Sequence, residues 1–261
     1  MRSVAEFIQD LQARGRYHFT TDEAVEALAG NTTAVRAAIR RLTGKSMVAT
    51  PHRGFHVIVP PEYRELGCLP ADQFIPDLMD HLGEPYYICL LSAAAYHGSA
   101  HQKPQLFQVM VPQGRRPIDC GRVRVRFLAR QDMSATPVIR RNTARGVLRI
   151  ASAEATALEL VGYMKASGGL DHVATVLRDL VEVMERSALA IEAHRAPAAS
   201  VQRLGYLLMQ VHADSLAFAL DPILKERKQH TVPLSPSLPI TGCARDKRWN
   251  VAVNTRVDSE Q

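Results

Sequence analysis

Arg36, Arg40, Arg41, Lys45 and Arg53 are five cationic side chains in a stretch from Gly30 to Val59 that contains no acidic residue. Arg36 and Arg40 stand four apart, the spacing that aligns side chains on one face of a helix. A guanidinium there can donate two parallel hydrogen bonds to O6 and N7 of guanine in a DNA major groove. Arg36 and Arg40 are therefore candidates for base contacts, and Arg41, Lys45, His52 and Arg53 for contacts to backbone phosphates. Thr32 and Thr33 lie at the expected start of the same helix, where hydroxyls and free amides can hold a phosphate.

These side chains need a scaffold, and the surrounding periodicity supplies one. Val4, Phe7, Ile8 and Leu11 recur at helical spacing and predict a first helix over 3–14, ended by Gly15. Thr20 or Thr21 caps a second helix running through Leu28, with Asp22 and Glu23 in its first turn. Gly30-Asn31 makes a turn, and Thr32 or Thr33 caps a third helix to about Thr43. Val35, Ala38, Ile39 and Leu42 form its inner face. Met47–Ala49 and Phe55–Val59 predict a two-stranded hairpin with Gly54 at its tip. This order reads as a winged helix-turn-helix. The same scaffold also serves protein contacts, and the cations are what favour DNA.

At 261 residues the chain is long enough for two domains. The expected division is a winged helix-turn-helix in residues 1–66 and a larger α+β domain in residues 67–261, with a small sheet and a helical bundle. Residues 62–72 read as the linker. Helices are expected over Phe74–His81, in SAAAYHG, after the cap Ser152, and roughly over 171–191 and 198–218. Strands are expected at residues 105–111, 123–128 and 146–150 and near Trp249–Asn254. Trp249, the only tryptophan, is expected to pack against the sheet, and Leu177, Leu180, Val181, Met184 and Leu189 to be core.

The net charge of +6 is unevenly spread. Residues 67–102 hold four acids and no Lys or Arg, whereas residues 103–150 hold eleven bases and two acids. This second cluster contains Arg115, Arg116, Arg122, Arg124, Arg126, Arg130, Arg140, Arg141 and Arg145. Two readings stand side by side: an extended surface that tracks DNA, or a docking face for an acidic partner.

Enzymatic signatures are missing. The chain has no phosphate-binding Gly-rich loop, no nucleophile elbow and no H-E-x-x-H. His97 and His101 stand four apart around Gly98, which favours a structural role over a metal pair. Cys68, Cys89, Cys120 and Cys243 include no C-x-x-C, so reduced thiols are expected, and no metal or cofactor. The N-terminus, with Glu6 and Asp10, is neither a signal peptide nor an anchor, and a cytoplasmic protein is expected.

The chain resembles the AbiEi antitoxins of type IV (AbiE) bacterial toxin–antitoxin systems. The resemblance rests on the winged helix at 3–59, SAAAYHGSAHQKPQLFQVMVP, the basic strand VRVRFLAR, the capped helix after LRIAS, and the closing RWNVAVN. It implies a non-enzymatic phage-defence protein whose N-terminal domain binds inverted repeats in its own promoter and represses it. It also implies a C-terminal domain that counters a nucleotidyltransferase-like toxin, without a stable complex, and supports self-association on DNA. Two other classes remain open: a nucleic-acid-processing enzyme targeted by the winged helix, for which the strand region offers only Asp119 and Asp132 as metal-binding carboxylates, and a one-component regulator with a ligand pocket.

Overall fold

The computed structural model describes residues 3–99 and 105–257. It begins with α1 (Val4–Ala13), β1 (His18–Thr20), α2 (Thr21–Leu28), α3 (Thr32–Gly44), β2 (Val48–His52) and β3 (Phe55–Ile58). Next come α4 (Ile75–His81), β4 (Tyr87–Ile88), α5 (Leu90–Tyr96), β5 (Phe107–Val111), β6 (Ile118–Cys120), β7 (Val123–Ala129), β8 (Val138–Thr143) and β9 (Gly146–Ala151). The remainder is α6 (Ala153–Gly162), α7 (Leu170–Leu180), α8 (Arg186–Ala193), α9 (Ala198–Gln210), α10 (Asp214–Phe218) and α11 (Asp221–Lys225), then β10 (Val232–Pro233), β11 (Ala244–Asp246) and β12 (Val251–Val253). The fold is mixed α+β, as the sequence predicts.

Two compact units are present. The first holds residues 3–87, 105–133 and 140–149, and the second holds 88–99, 134–139 and 150–257 among those described.

In the first unit, capping boxes start α1 at Ser3 and α2 at Thr20, each reciprocated by the glutamate three residues on. Their apolar faces meet that of α3 in a core of Phe7, Ile8, Leu11, Phe19, Leu28, Val35, Ile39 and Ile58. The expected two-stranded hairpin has a third member, because β1 pairs antiparallel with β3 to give the order β1-β3-β2. Three residues show no period, which is why His18–Thr20 escapes sequence reading. All four residues of β3 are buried. Helices cover one side, and on the other α4 places the His81 ring 5.5 Å from that of Phe55. The expected linker is likewise packed: a 3-10 turn at Pro61–Tyr63 leads into it, and within it Cys68 and Leu69 are buried. Farther along, β7 pairs parallel with β5 and antiparallel with β6.

The second unit is mainly helical. Every residue of α6 from Ala153 to Val161 is buried, so this helix has no solvent face and serves as the hub for α5, α7, α8 and α9. Ser152 caps it, as expected, accepting from the Ala155 amide at 3.2 Å. Helices expected over 171–191 and 198–218 are each divided. Met184 and Glu185 are extended between α7 and α8, and His212 has φ +60 between α9 and α10. Leu177, Leu180 and Leu189 are fully buried, as core residues should be.

Trp249 corrects one expectation. It lies in the turn before β12 rather than on the strand, and its ring rests on α9 instead of a sheet. Gly205 makes room for it: a Cβ at that position would overlap the indole. Gly205→Ala should therefore destabilise the protein by about 1–3 kcal/mol through overpacking. Urea unfolding followed by Trp249 fluorescence measures this, and an unchanged midpoint would show that the ring has room to shift.

Candidate nucleic-acid interface

The α3 helix is cationic outside because it is apolar inside. Val35 and Ile39 are 4% exposed, whereas Arg36, Arg40, Arg41 and Lys45 are all exposed. None of the four pairs with a carboxylate among the described residues. Thr32 and Thr33 are the first two residues of the helix and are exposed. Neither is the cap, however. Asn31 holds that position, and its Oδ1 accepts from the Thr33 amide at 2.8 Å. The amide expected to be free for a phosphate is thus already engaged, and the threonines offer their hydroxyls.

The hairpin tip sits beside α2. Gly54, at φ +82, closes the turn, and its carbonyl accepts from the Thr21 amide at 2.9 Å. Arg53 projects into solvent, and His52 is half-buried with Nδ1 3.1 Å from the Arg53 carbonyl. The β2–β3 register shifts between Ala49 and His52, where Pro51 interrupts the ladder. Sequence reasoning missed the residue that fixes this hairpin. His56 is 6% exposed and lies between two hydroxyls, Thr21 Oγ1 on Nε2 and Thr50 Oγ1 on Nδ1, each at 2.9 Å. A histidine inside an apolar strand gave no sign of either partner.

The second basic cluster divides by what each arginine touches. Glu84 clamps Arg115 through both oxygens, at 2.6 and 2.5 Å, and this contact holds the carboxyl below its ordinary range. Arg126 lies 3.5 Å from Asp119. The Arg145 guanidinium sits 3.5 Å over the Tyr17 ring, carried by the β8–β9 turn onto the segment after α1. Arg116, Arg122, Arg124, Arg140 and Arg141 are exposed and Arg130 is half-buried. Arg124 and Arg126 share the outer face of β7, while Arg122 is in the preceding turn. Beside the hairpin tip, a cavity of about 520 Å³ is bordered by His52, Arg53, Arg115 and Arg116.

Elsewhere, His97 Nε2 meets the Ala151 carbonyl at 2.8 Å, a structural contact, while His101 lies outside the described residues. No group of three or more metal-binding side chains occurs among the described residues. No helix among them is long and apolar enough to cross a membrane.

Residues 86–210 match the family described as the AbiEi antitoxin C-terminal domain. Over these residues the chain is similar to that domain. This agrees with the resemblance read from the sequence and supports an antitoxin role in a toxin–antitoxin system. The crystal structure of the RV2827C protein from Mycobacterium tuberculosis is similar, with a TM-score of 0.66 at 16% identity over 95% of this chain and 89% of that one. At that identity the likeness shows the fold alone. No curated protein matches the sequence. The antitoxin domain contains the second arginine cluster, whereas α3 and the β2–β3 hairpin precede it.

His56 makes the hairpin pH-sensitive. Burial holds its imidazole below the ordinary value, so the folded chain takes up the proton at lower pH than the unfolded chain. Its contribution to stability is complete above the unfolded value of about 6.5 and is lost as pH falls below it, by at most about 1.4 kcal/mol per pH unit. His56→Gln should flatten the fall in stability between about pH 7 and pH 5. Urea titrations read by circular dichroism test this, and identical pH slopes for the two proteins would exclude His56 as the source.

Proposed function

We propose that the protein is a transcriptional autorepressor and antitoxin of a type IV toxin–antitoxin system. In this reading α1–α3 and the β1-β3-β2 sheet form a winged helix-turn-helix that binds inverted repeats in the protein's own promoter. The observation that carries it is the outward row Arg36, Arg40, Arg41 on a helix whose opposite face is locked in the core. Arg36 and Arg40 enter the major groove, while Arg41, Lys45, His52 and Arg53 hold phosphates, with the Thr32 and Thr33 hydroxyls at the helix start. The antitoxin domain, part of the proposed functional region 67–261, counters a nucleotidyltransferase-like toxin without a stable complex and supports self-association on DNA. The exposed arginines of its first strands belong to the DNA-facing role, since they lie in the same compact unit as α3. No catalysis and no cofactor enter this function, and its setting is the bacterial cytoplasm, in phage defence.

The test is a salt titration of binding to the DNA upstream of its gene, against a scrambled duplex of equal length. Specific binding should weaken steeply with salt, because Lys and Arg contacts release phosphate counterions. Arg36→Ala and Arg40→Ala should each cost about 1–3 kcal/mol on the specific site and relax base preference there. Equal, weak binding to both duplexes would overturn the repressor assignment.

A further inference from the structure

The first unit also holds two thiols that the DNA-binding surface does not use. Cys68 is buried in the segment after β3, and Cys120 ends β6, half-buried. Their backbones pass very closely. A Cβ on Gly67 would lie 3.1 Å from the Gly121 Cα, and one on Gly121 would overlap the Leu66 carbonyl, which already accepts from the Arg122 amide at 2.7 Å. Both glycines have positive φ, +71 and +59. Two side-chain-free positions thus let the two turns touch and bring the neighbouring cysteines together.

The Cys68 thiol donates to the Cys120 sulfur, which also accepts from the Thr50 backbone amide in β2. The Cys68 contact and then the Thr50 amide draw Cys120 below its ordinary value, toward thiolate. Cys68 is pushed up by its hydrogen bond to Cys120 and by burial. The remaining cysteines are placed differently: Cys89 is buried with its thiol raised by desolvation, and Cys243 meets the carbonyls of Pro239 and Thr241, at 3.8 Å.

We propose that Cys68 and Cys120 form a redox-active dithiol, in which Cys120 attacks hydroperoxides and Cys68 resolves the product. The Cys120 thiolate takes the terminal oxygen of hydrogen peroxide, the O–O bond breaks, and the departing hydroxide gains a proton to leave as water. Cys68 sulfur then attacks the Cys120 sulfenic acid, forming the S–S bond and releasing a second water. Overall, two thiols are oxidised to one disulfide and one peroxide is reduced to two waters. The bond would staple the segment after β3 to the end of β6, beside β2. This is independent of whether the protein binds DNA.

The full-length protein is reduced, freed of reductant, exposed to hydrogen peroxide while folded, then unfolded and alkylated for intact mass and peptide mapping. The expected product has lost two hydrogens, joins the Cys68 and Cys120 peptides, and keeps two of its four thiols alkylatable. Dithiothreitol should restore all four. Cys68→Ser should trap a Cys120 sulfenic acid that dimedone captures, and Cys120→Ser should leave Cys68 a free thiol. Four alkylatable thiols after peroxide, or oxidation of wild-type Cys120 without linkage to Cys68, would overturn the proposal. The wild-type mapping decides it even where a variant folds poorly.

Discussion

Burial of one face of α3 is the constraint on which the first unit depends. Val35 and Ile39 enter the core formed by Phe7, Ile8, Leu11, Phe19 and Ile58. Each such side chain contributes about 1.5–3 kcal/mol when fully removed from water. Turning the helix about its axis would expose them and drive guanidinium groups into an apolar interior, at a cost well above that gain. The arginine row is therefore directed by residues that touch no ligand. Asn31 fixes where the helix begins, and the His56 hydroxyl clasp fixes the hairpin against α2.

The second cluster follows a different logic. Its surplus of nine positive charges over residues 103–150 looks uniform in the sequence, but the arginines differ in what they do. Arg115 is held bidentately, Arg145 is stacked on an aromatic ring, and Arg126 meets a carboxylate only loosely. Partly exposed pairs of this kind contribute little stability, on the order of 0–1 kcal/mol. Their effect is chiefly positional. Arg115 fixes its loop beside the hairpin tip, which leaves the neighbouring Arg116 as an exposed charge.

Legibility followed periodicity. The first three helices, the alternating strand β7 and the capped start of α6 all have patterns longer than a turn, and each was readable. The all-buried character of α6 removed its amphipathic signal, yet the Ser152 cap and the strand before it marked the start. What could not be read was set by contacts distant in sequence. β1 exists because β3 is there to pair with it. Trp249 lies on Gly205, 44 positions earlier, so neither residue announces the other. At the candidate interface the exposed cations were legible as types and spacing. The residues that hold them, Asn31, Thr50, His56 and Glu84, were not, because a polar residue's partner is a tertiary fact.

The compact units do not follow chain order, and this has a physical cause. A three-stranded sheet standing alone would leave one face of β3 in water, yet Phe55, His56, Val57 and Ile58 are all buried. Phe55 is covered by His18 on one side of its ring and by His81 of α4, with ring centroids at 5.5 Å in each case. His18 is in turn held by Asp77, 3.0 Å from its Nδ1. Cys68 and Gly67 then bind the segment to the β6–β7 turn, and Arg145 reaches back to Tyr17. Each step commits residues farther along the chain to the same unit. Such contacts close long loops, at an entropic cost that grows with their length, and the unit is complete only with residues up to 149. Helix α3, supported in this way, shares its compact unit with part of the sequence that matches the AbiEi antitoxin C-terminal domain, so the two regions are coupled at the level of folding.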